Sequence, residues 1–242
     1  MDEVRSLAIF PVTGIGEIAP GDDLALILGE ALGPAAGEHA LRDGDVLVVT
    51  QKVVSKAEGR LVELDHADEA AKVALVEAEA VRVLRRRGSL LITETTHGFI
   101  CANAGIDLSN MADGTAALLP VDPDRSARRL RADLRRQLGV EVAVIISDTF
   151  GRTWRQGVTD VAIGSAGIIP VHDLRGTLDA MGRELVATEV CVIDELTGAA
   201  DLVLGKASGT PAAVIRGCPA AWFGDGSVLS DVVRRVDEDL FR

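Results

Sequence analysis

Tyrosine does not occur in the sequence, and aromatic residues make up only 3% of its 242 positions. So few rings leave no stacking platform for single-stranded nucleic acid. Positive charge is scarce as well. Lys and Arg number 25 against 37 Asp and Glu, a formal net charge of −12, whereas a general nucleic-acid binder presents a basic surface. Cys101, Cys191 and Cys218 lie far apart with no C-x-x-C, which supports neither a disulfide framework nor a zinc knuckle and fits reduced thiols in a cytoplasm. The four histidines, His39, His66, His97 and His172, lack H-E-x-x-H spacing, so a His-based zinc site is not indicated. No apolar run reaches the roughly 18 residues of a membrane span. The apolar stretch in MDEVRSLAIFPVTG is too short for a signal peptide. There is no G-x-x-x-x-G-K-[ST], no G-x-G-x-x-G behind a strand and no G-x-S-x-G, so any nucleotide is bound without a P-loop and the hydrolase elbow is missing.

What is present is a globular composition, 48% hydrophobic and 26% charged, long enough for one large domain or two small ones. RSLAIFPV, residues 5–12, reads as a strand, and TGIGEIAPGDD as a loop. DDLALILGEAL has helical spacing with acids in its first turn. DGDVLVVTQKVVSKAEG, residues 43–59, reads as a turn followed by a strand. Residues 67–87, ADEAAKVALVEAEAVRVLRRR, carry the strongest helix signal, with acids first and arginines last. SLLITET predicts a strand, and DPDRSARRLRADLRRQLG an amphipathic helix closed by Gly139. VEVAVIISDT predicts a strand buried on both faces. GRELVATEVCVID and PAAVIRG predict strands flanking a helix at about 194–204, and a last short helix covers roughly 227–239. The arginine pairs near 85–87, 128–129 and 135–136 read as solvated helix faces. The fold class is α/β, of mixed α+β character. Strands do not alternate regularly with helices, so two interlocked lobes fit as well as a doubly wound sheet.

Four stretches carry groups with chemistry. In SDTFGRTWRQG, Asp148 stands where an apolar strand runs out. Its carboxylate is a hard ligand for Mg²⁺ or Mn²⁺, and Thr149 can add an oxygen. Arg152 and Arg155 can pair with phosphate or carboxylate, and Gly151 and Gly157 allow close approach of backbone. The same residues also read as a capping Asp followed by surface arginines. In CANAGIDLSN, Asp107 offers a second carboxylate, or an Asx turn. In TQKVVSKAEGR, Lys52 and Lys56 suit a phosphate, or serve as gatekeepers on a strand edge. GKASGTP, residues 205–211, reads as a phosphate loop or a plain turn. Asp194 and Glu195 read as helix-start acids, and Glu189 or Asp194 as a carboxylate that a site could use.

Taken in order, FPVTGIGEIAPGDDL, DGDVLVVTQKVVSKAEGR, LITETTHGFICANAGIDLSN, LLPVDPDRSARRLR, VIISDTFGRTWRQGVTDVAIG, GRELVATEVCVIDE and PAAVIRG resemble the coenzyme F420:L-glutamate ligase family across nearly the whole chain. The resemblance implies a two-lobed α/β fold peculiar to that family, neither P-loop nor plain Rossmann, with one unit over 1–242 and lobes of roughly 1–65 with 205–242, and 66–204. It implies homodimers and GTP-dependent addition of L-glutamate, with a divalent metal (Mg²⁺ or Mn²⁺) and K⁺, to the free carboxylate of the coenzyme F420 precursor; no nucleic acid and no membrane take part. Carried over residue by residue, the metal ligands fall on Asp107, Asp148 and Thr149. The nucleotide contacts fall on Ile15, Gly16, Glu17, Ile18, Gln51, Lys56 and Asn110, and on Gly205, Lys206, Ala207, Ser208, Gly209, Thr210 and Pro211. The 205–211 loop differs in composition from the acid-bearing version of archaeal members. Actinobacterial relatives carry a further C-terminal nitroreductase-like domain, and the resemblance here is to the ligase portion. The reaction so implied runs through an acyl phosphate, with Lys56 on the nucleotide and Arg152 or Arg155 on a substrate anion. A non-catalytic nucleotide- or deazaflavin-binding module, or a carboxylate–amine ligase with another acceptor, are the competing readings.

Overall fold

A computed structural model of the chain describes residues 6–109, 111, 114–206 and 208–240. In chain order the strands and helices begin with β1 (Ala8–Pro11), α1 (Leu24–Leu32), β2 (Val46–Thr50), α2 (Gln51–Ala57), β3 (Leu61–Glu63) and α3 (Glu69–Glu79). There follow β4 (Ala80–Arg87), β5 (Leu90–Thr95), β6 (Ile100–Ala102), β7 (Thr115–Ala117), α4 (Pro123–Leu138) and β8 (Ala143–Gly151). The rest are β9 (Val158–Ala166), β10 (Val171–Asp173), β11 (Glu189–Cys191), α5 (Val192–Leu204), β12 (Ala212–Arg216) and α6 (Val228–Asp231). The architecture is mixed α/β. A five-stranded sheet in the order β1–β12–β2–β8–β9 forms the core, and β4–β5–β6, β3–β7 and β10–β11 make three smaller sheets.

β2 and β8 pair in parallel at the centre of the large sheet, and every other neighbour in it is antiparallel. Val46–Val49 and Ala143–Ile146 are wholly buried, as a continuous β-branched run requires. The main core joins these strands to α1, α4 and α5. The helix at 122–139 forms as its signals direct. Asp122 accepts a hydrogen bond from Arg125 N at 2.8 Å, Pro123 opens the first turn, and Gly139 closes the helix at φ +74°.

Elsewhere tertiary pairing overrides local preference. The helix expected over 67–87 ends at Glu79, and Ala80–Arg87 instead becomes β4, hydrogen-bonded to β5 through a turn at Gly88. Its alternating valines and arginines fit a half-covered strand as well as a helix, and the partner strand decides. Arg85–Arg87 are therefore exposed on a strand, not a helix. The strand expected over 43–59 stops at Thr50, and Gln51–Ala57 turns into α2, so Lys52 and Lys56 lie on a helix and not on a sheet edge. The 182–194 stretch is strand only at Glu189–Cys191, and the 227–239 helix shrinks to α6 plus a 3-10 turn at Val236–Glu238. β9 has no counterpart among the sequence expectations. Asp160, Gly164 and Ser165 interrupt its apolar pattern, yet the last two are needed where α4 and α6 close on the strand.

Asp124 shows why. It is 2% exposed and accepts from Ser165 N at 2.8 Å, Val228 N at 3.0 Å, Leu229 N at 3.1 Å and Ser227 Oγ at 2.6 Å. One carboxylate thus ties α4, β9 and α6. Asp124→Ala is expected to cost about 3 kcal/mol, because it strands buried donors as well as deleting bonds. Urea denaturation checks this as a lowered midpoint. An unchanged midpoint would show that the four donors find other partners. Among the described residues no helix is long and apolar enough to cross a membrane.

Candidate active site

The parallel register of β2 and β8 aligns Thr50 with Ser147, so both strands reach the same edge of the sheet and hand over there to chemistry-bearing residues. Beyond Thr50 comes α2. Beyond Ser147 come Asp148 and Thr149. A cleft of about 370 Å³ opens at this edge. It is lined by Gly16–Ile18, by 50–53 and Lys56, by Asp107 and Ser109, by Ser147–Thr149 with Asp160, and by residues of the 201–211 stretch. Segments far apart in sequence therefore meet in one concave polar site.

Asp148 lies in this cleft, with Thr149 N donating to its Oδ1 at 2.8 Å. Burial pushes its carboxyl up to about 7, and the negative charges of Asp107 and Asp160 push the same way against the Thr149 N–H and the Lys206 ammonium. Asp107 is anchored by paired backbone hydrogen bonds with Ala117, both 2.9 Å. Its Oδ1 accepts from Ser109 N and Oγ at 2.8 Å, and Lys52 Nζ lies 2.9 Å from its Oδ2. Lys56 is 7% exposed and its ammonium pairs with Glu17, which closes the 16–18 loop over α2. Gln51 is buried and donates to Leu118 O at 3.0 Å and to Ser55 Oγ at 2.6 Å. That side chain locks the start of α2 and touches the cleft from a fixed position.

The antiparallel β8–β9 pair sets Thr149 opposite Asp160. Thr149 Oγ1 donates to Asp160 Oδ1 at 2.6 Å, and Lys206 Nζ donates to both, at 2.6 Å and 2.7 Å. Asp160, Ser147, Ser109 and Asp201 line the site without having been singled out from sequence. A hairpin reading of 143–166, two strands around the Gly-bearing 151–157 turn, would have placed Asp160 across from Thr149.

Other expected residues fall elsewhere. β8 does not end at Asp148 but runs on to Gly151, so Arg152 and Arg155 belong to the exposed turn of the hairpin and not to the cleft lining. Arg152 Nη2 donates to Gln156 O at 2.7 Å, which shapes that turn. Ile15 packs against the core, and the Ser208 hydroxyl donates back to Leu204 O; neither lines the cleft. Gly205, Lys206, Gly209, Thr210 and Pro211 do line it. Asn110 and Ala207 lie outside the described residues. Cys101 is buried, and burial and then the Asp148 charge push its thiol up to about 12, which disfavours the thiolate.

A cation fits this donor set. Among the described residues no three His, Cys, Asp or Glu side chains form a ready cage. Two hard carboxylates whose charges already work against each other do suit Mg²⁺ or Mn²⁺, which usually takes one or two carboxylates and completes its shell with substrate oxygens and water. The lysines around them suit anionic oxygens.

The sequence profile described as F420-0:Gamma-glutamyl ligase matches residues 14–217. A protein of Methanothermobacter thermautotrophicus named Coenzyme F420:L-glutamate ligase is 41% identical over 251 aligned positions, covering 98% of this chain and 99% of that protein. One of the same name from Methanopyrus kandleri is 41% identical over the full length of both. Another from Methanocaldococcus jannaschii is 39% identical over 85% of this chain and 87% of its own. The cleft thus lies in a chain similar from end to end to these ligases, and the chain belongs to the F420-0:gamma-glutamyl ligase family.

Proposed function

We propose that this chain joins the amino group of L-glutamate to the free carboxylate of the coenzyme F420 precursor, with GTP as the phosphoryl donor. The observation that carries the reading is the meeting of Asp107, Asp148 and Thr149 with Lys52, Lys56 and Lys206 in one cleft, in a member of this family. A carboxylate resists amine attack because its carbonyl is deactivated and oxide is a poor leaving group. Moving the γ-phosphoryl group onto a carboxylate oxygen forms an acyl phosphate and releases GDP. The amine then attacks the carbonyl carbon and inorganic phosphate leaves.

Such transfer needs positioning and charge neutralisation more than covalent help from the protein. Lys56, nearly buried and steadied by Glu17, holds phosphate oxygens as a point charge. Gly16–Ile18, with Gly205, Lys206 and Gly209–Pro211, line the cleft and would bring backbone close to the nucleotide. Asp107, Asp148 and Thr149 would hold the Mg²⁺ or Mn²⁺, which supplies neutralising charge between protein and triphosphate. Arg152 and Arg155, on the exposed hairpin turn outside the cleft lining, would meet the anionic end of the precursor. The resemblance also implies a potassium ion. Among the described residues, the remaining acidic cluster of the cleft, Asp160 with Asp201, is already bridged by Lys206. The reading takes the protein as a cytoplasmic homodimer whose two lobes meet at the cleft.

The test is mass spectrometry of the product formed from precursor, glutamate, GTP and Mn²⁺. A glutamylated precursor formed only when GTP and metal are both present is the expected result, with GTP raising the melting temperature only together with Mn²⁺. Stabilisation by the deazaflavin alone, with no product, would overturn the ligase reading in favour of a binding module.

A further inference from the structure

The Lys206 ammonium is held as a small cation would be. It donates to Thr149 Oγ1 at 2.6 Å and to Asp160 Oδ1 at 2.7 Å, and it lies 3.0 Å from Asp201 Oδ1. These oxygens come from β8, β9 and α5, and the lysine arrives from just beyond the end of α5, past Gly205 at φ +61°. Asp160 is only 3% exposed. A carboxylate so placed, one strand from Asp148, needs a compensating positive charge. An ammonium group is close in size to a bare potassium ion and accepts a similar set of oxygens.

We propose that Lys206 is a tethered cation that occupies the place of a second inorganic ion in the active site. It neutralises Asp160 and Asp201 and fixes the Thr149 hydroxyl. Exchangeable metal is then confined to the Asp107–Asp148 side, and the Thr149 hydroxyl, which the resemblance assigns to a metal, is taken by the lysine. This inference rests on the phosphoryl-transfer reading and goes beyond it. It replaces the free potassium ion implied by the resemblance with a charge built into the chain, and it makes Lys206 a positioning residue that acts through Thr149 and Asp160.

Mn²⁺ titration followed by electron paramagnetic resonance, with a non-hydrolysable GTP analogue present, counts exchangeable cations directly. The wild-type chain is expected to bind about one Mn²⁺ and Lys206→Met about two, because the uncovered acids then attract a second ion. Lys206→Arg, which keeps the charge, should retain the wild-type count. In choline-based buffer Lys206→Met should lose ~100-fold in glutamylation rate, with ~10-fold returned by ammonium or potassium chloride and none by more choline chloride. The wild type should not respond to these salts. Two exchangeable Mn²⁺ in the wild type would overturn the proposal, even if the Met variant proved unstable. An unchanged Mn²⁺ count in a folded Met variant would overturn it too. No Mn²⁺ at all in the wild type would instead sink the phosphoryl-transfer reading, and the tethered cation with it.

Discussion

Asp148→Asn should lose glutamylation by about 10³-fold or more while making the metal-free protein more stable at pH 8. The first effect follows from removing one of two carboxylates that would hold the cation between protein and triphosphate. The second follows from linkage. The Asp148 carboxyl is pushed up to about 7 in the folded chain, chiefly by burial, against an ordinary value of about 4 when unfolded. A raised carboxyl favours folding fully below its unfolded value. That contribution is lost as pH climbs toward 7, because the unfolded chain sheds its proton first. Above 7 the folded protein carries a half-buried negative charge and a constant penalty. The amide has no such charge, so the variant should gain on the order of 2 kcal/mol, roughly 5 °C in melting temperature, at pH 8 and nothing near pH 3. Adding Mn²⁺ with GTP should raise the wild-type melting temperature and leave the variant's unchanged. Near-normal turnover in Asp148→Asn would remove this residue from the cation site. Equal pH profiles for the two metal-free proteins would show that the carboxyl is well solvated.

Gly164→Ala should unfold the protein at a temperature roughly 10 °C lower. Gly164 lies opposite Ile146 in the β8–β9 pair. A Cβ there would stand 2.4 Å from both the carbonyl carbon and the oxygen of Pro123 and 2.8 Å from Asp124 N. These are backbone atoms at the start of α4, and the Asp124 network pins that start to Ser165 and to α6. The clash cannot be relieved by turning a side chain, so the cost is about 3 kcal/mol or more. Gly151→Ala is the matched control. It sits in the same strand pair, has nothing within 4 Å of a built Cβ and adopts no left-handed φ. Its effect should stay within about 0.5 kcal/mol. Scanning calorimetry of the two variants decides, and equal melting temperatures would mean that α4 yields to the extra methyl.

The residues that form the cleft were visible in the sequence one stretch at a time. Asp148 at the end of a buried run, Asp107 in a loop behind a strand, and Lys56 before a glycine each had an ordinary structural alternative, and no local signal could choose. Asp201 carried no signal, and Asp160 only the indirect one of a hairpin over 143–166. Asp160 interrupts an apolar pattern and reads as a flaw in a strand until it is seen facing Thr149 across the hairpin. Arg152 and Arg155 stand apart from these. Their charge pointed to the cleft, and three further residues of strand beyond Asp148 place them past its lining, on the exposed hairpin turn.

By itself the sequence determined the mixed α/β class, the double burial of β8, the capped α4 and the family, because each of these is written in neighbouring residues or in ordered motifs along the chain. The tertiary structure alone decided that 80–87 is a strand and 51–57 a helix, and that positions 107, 148, 160 and 206 share one site. Those outcomes depend on which strand pairs with which. Pairing energy between distant segments exceeds the few tenths of a kcal/mol by which local propensities differ.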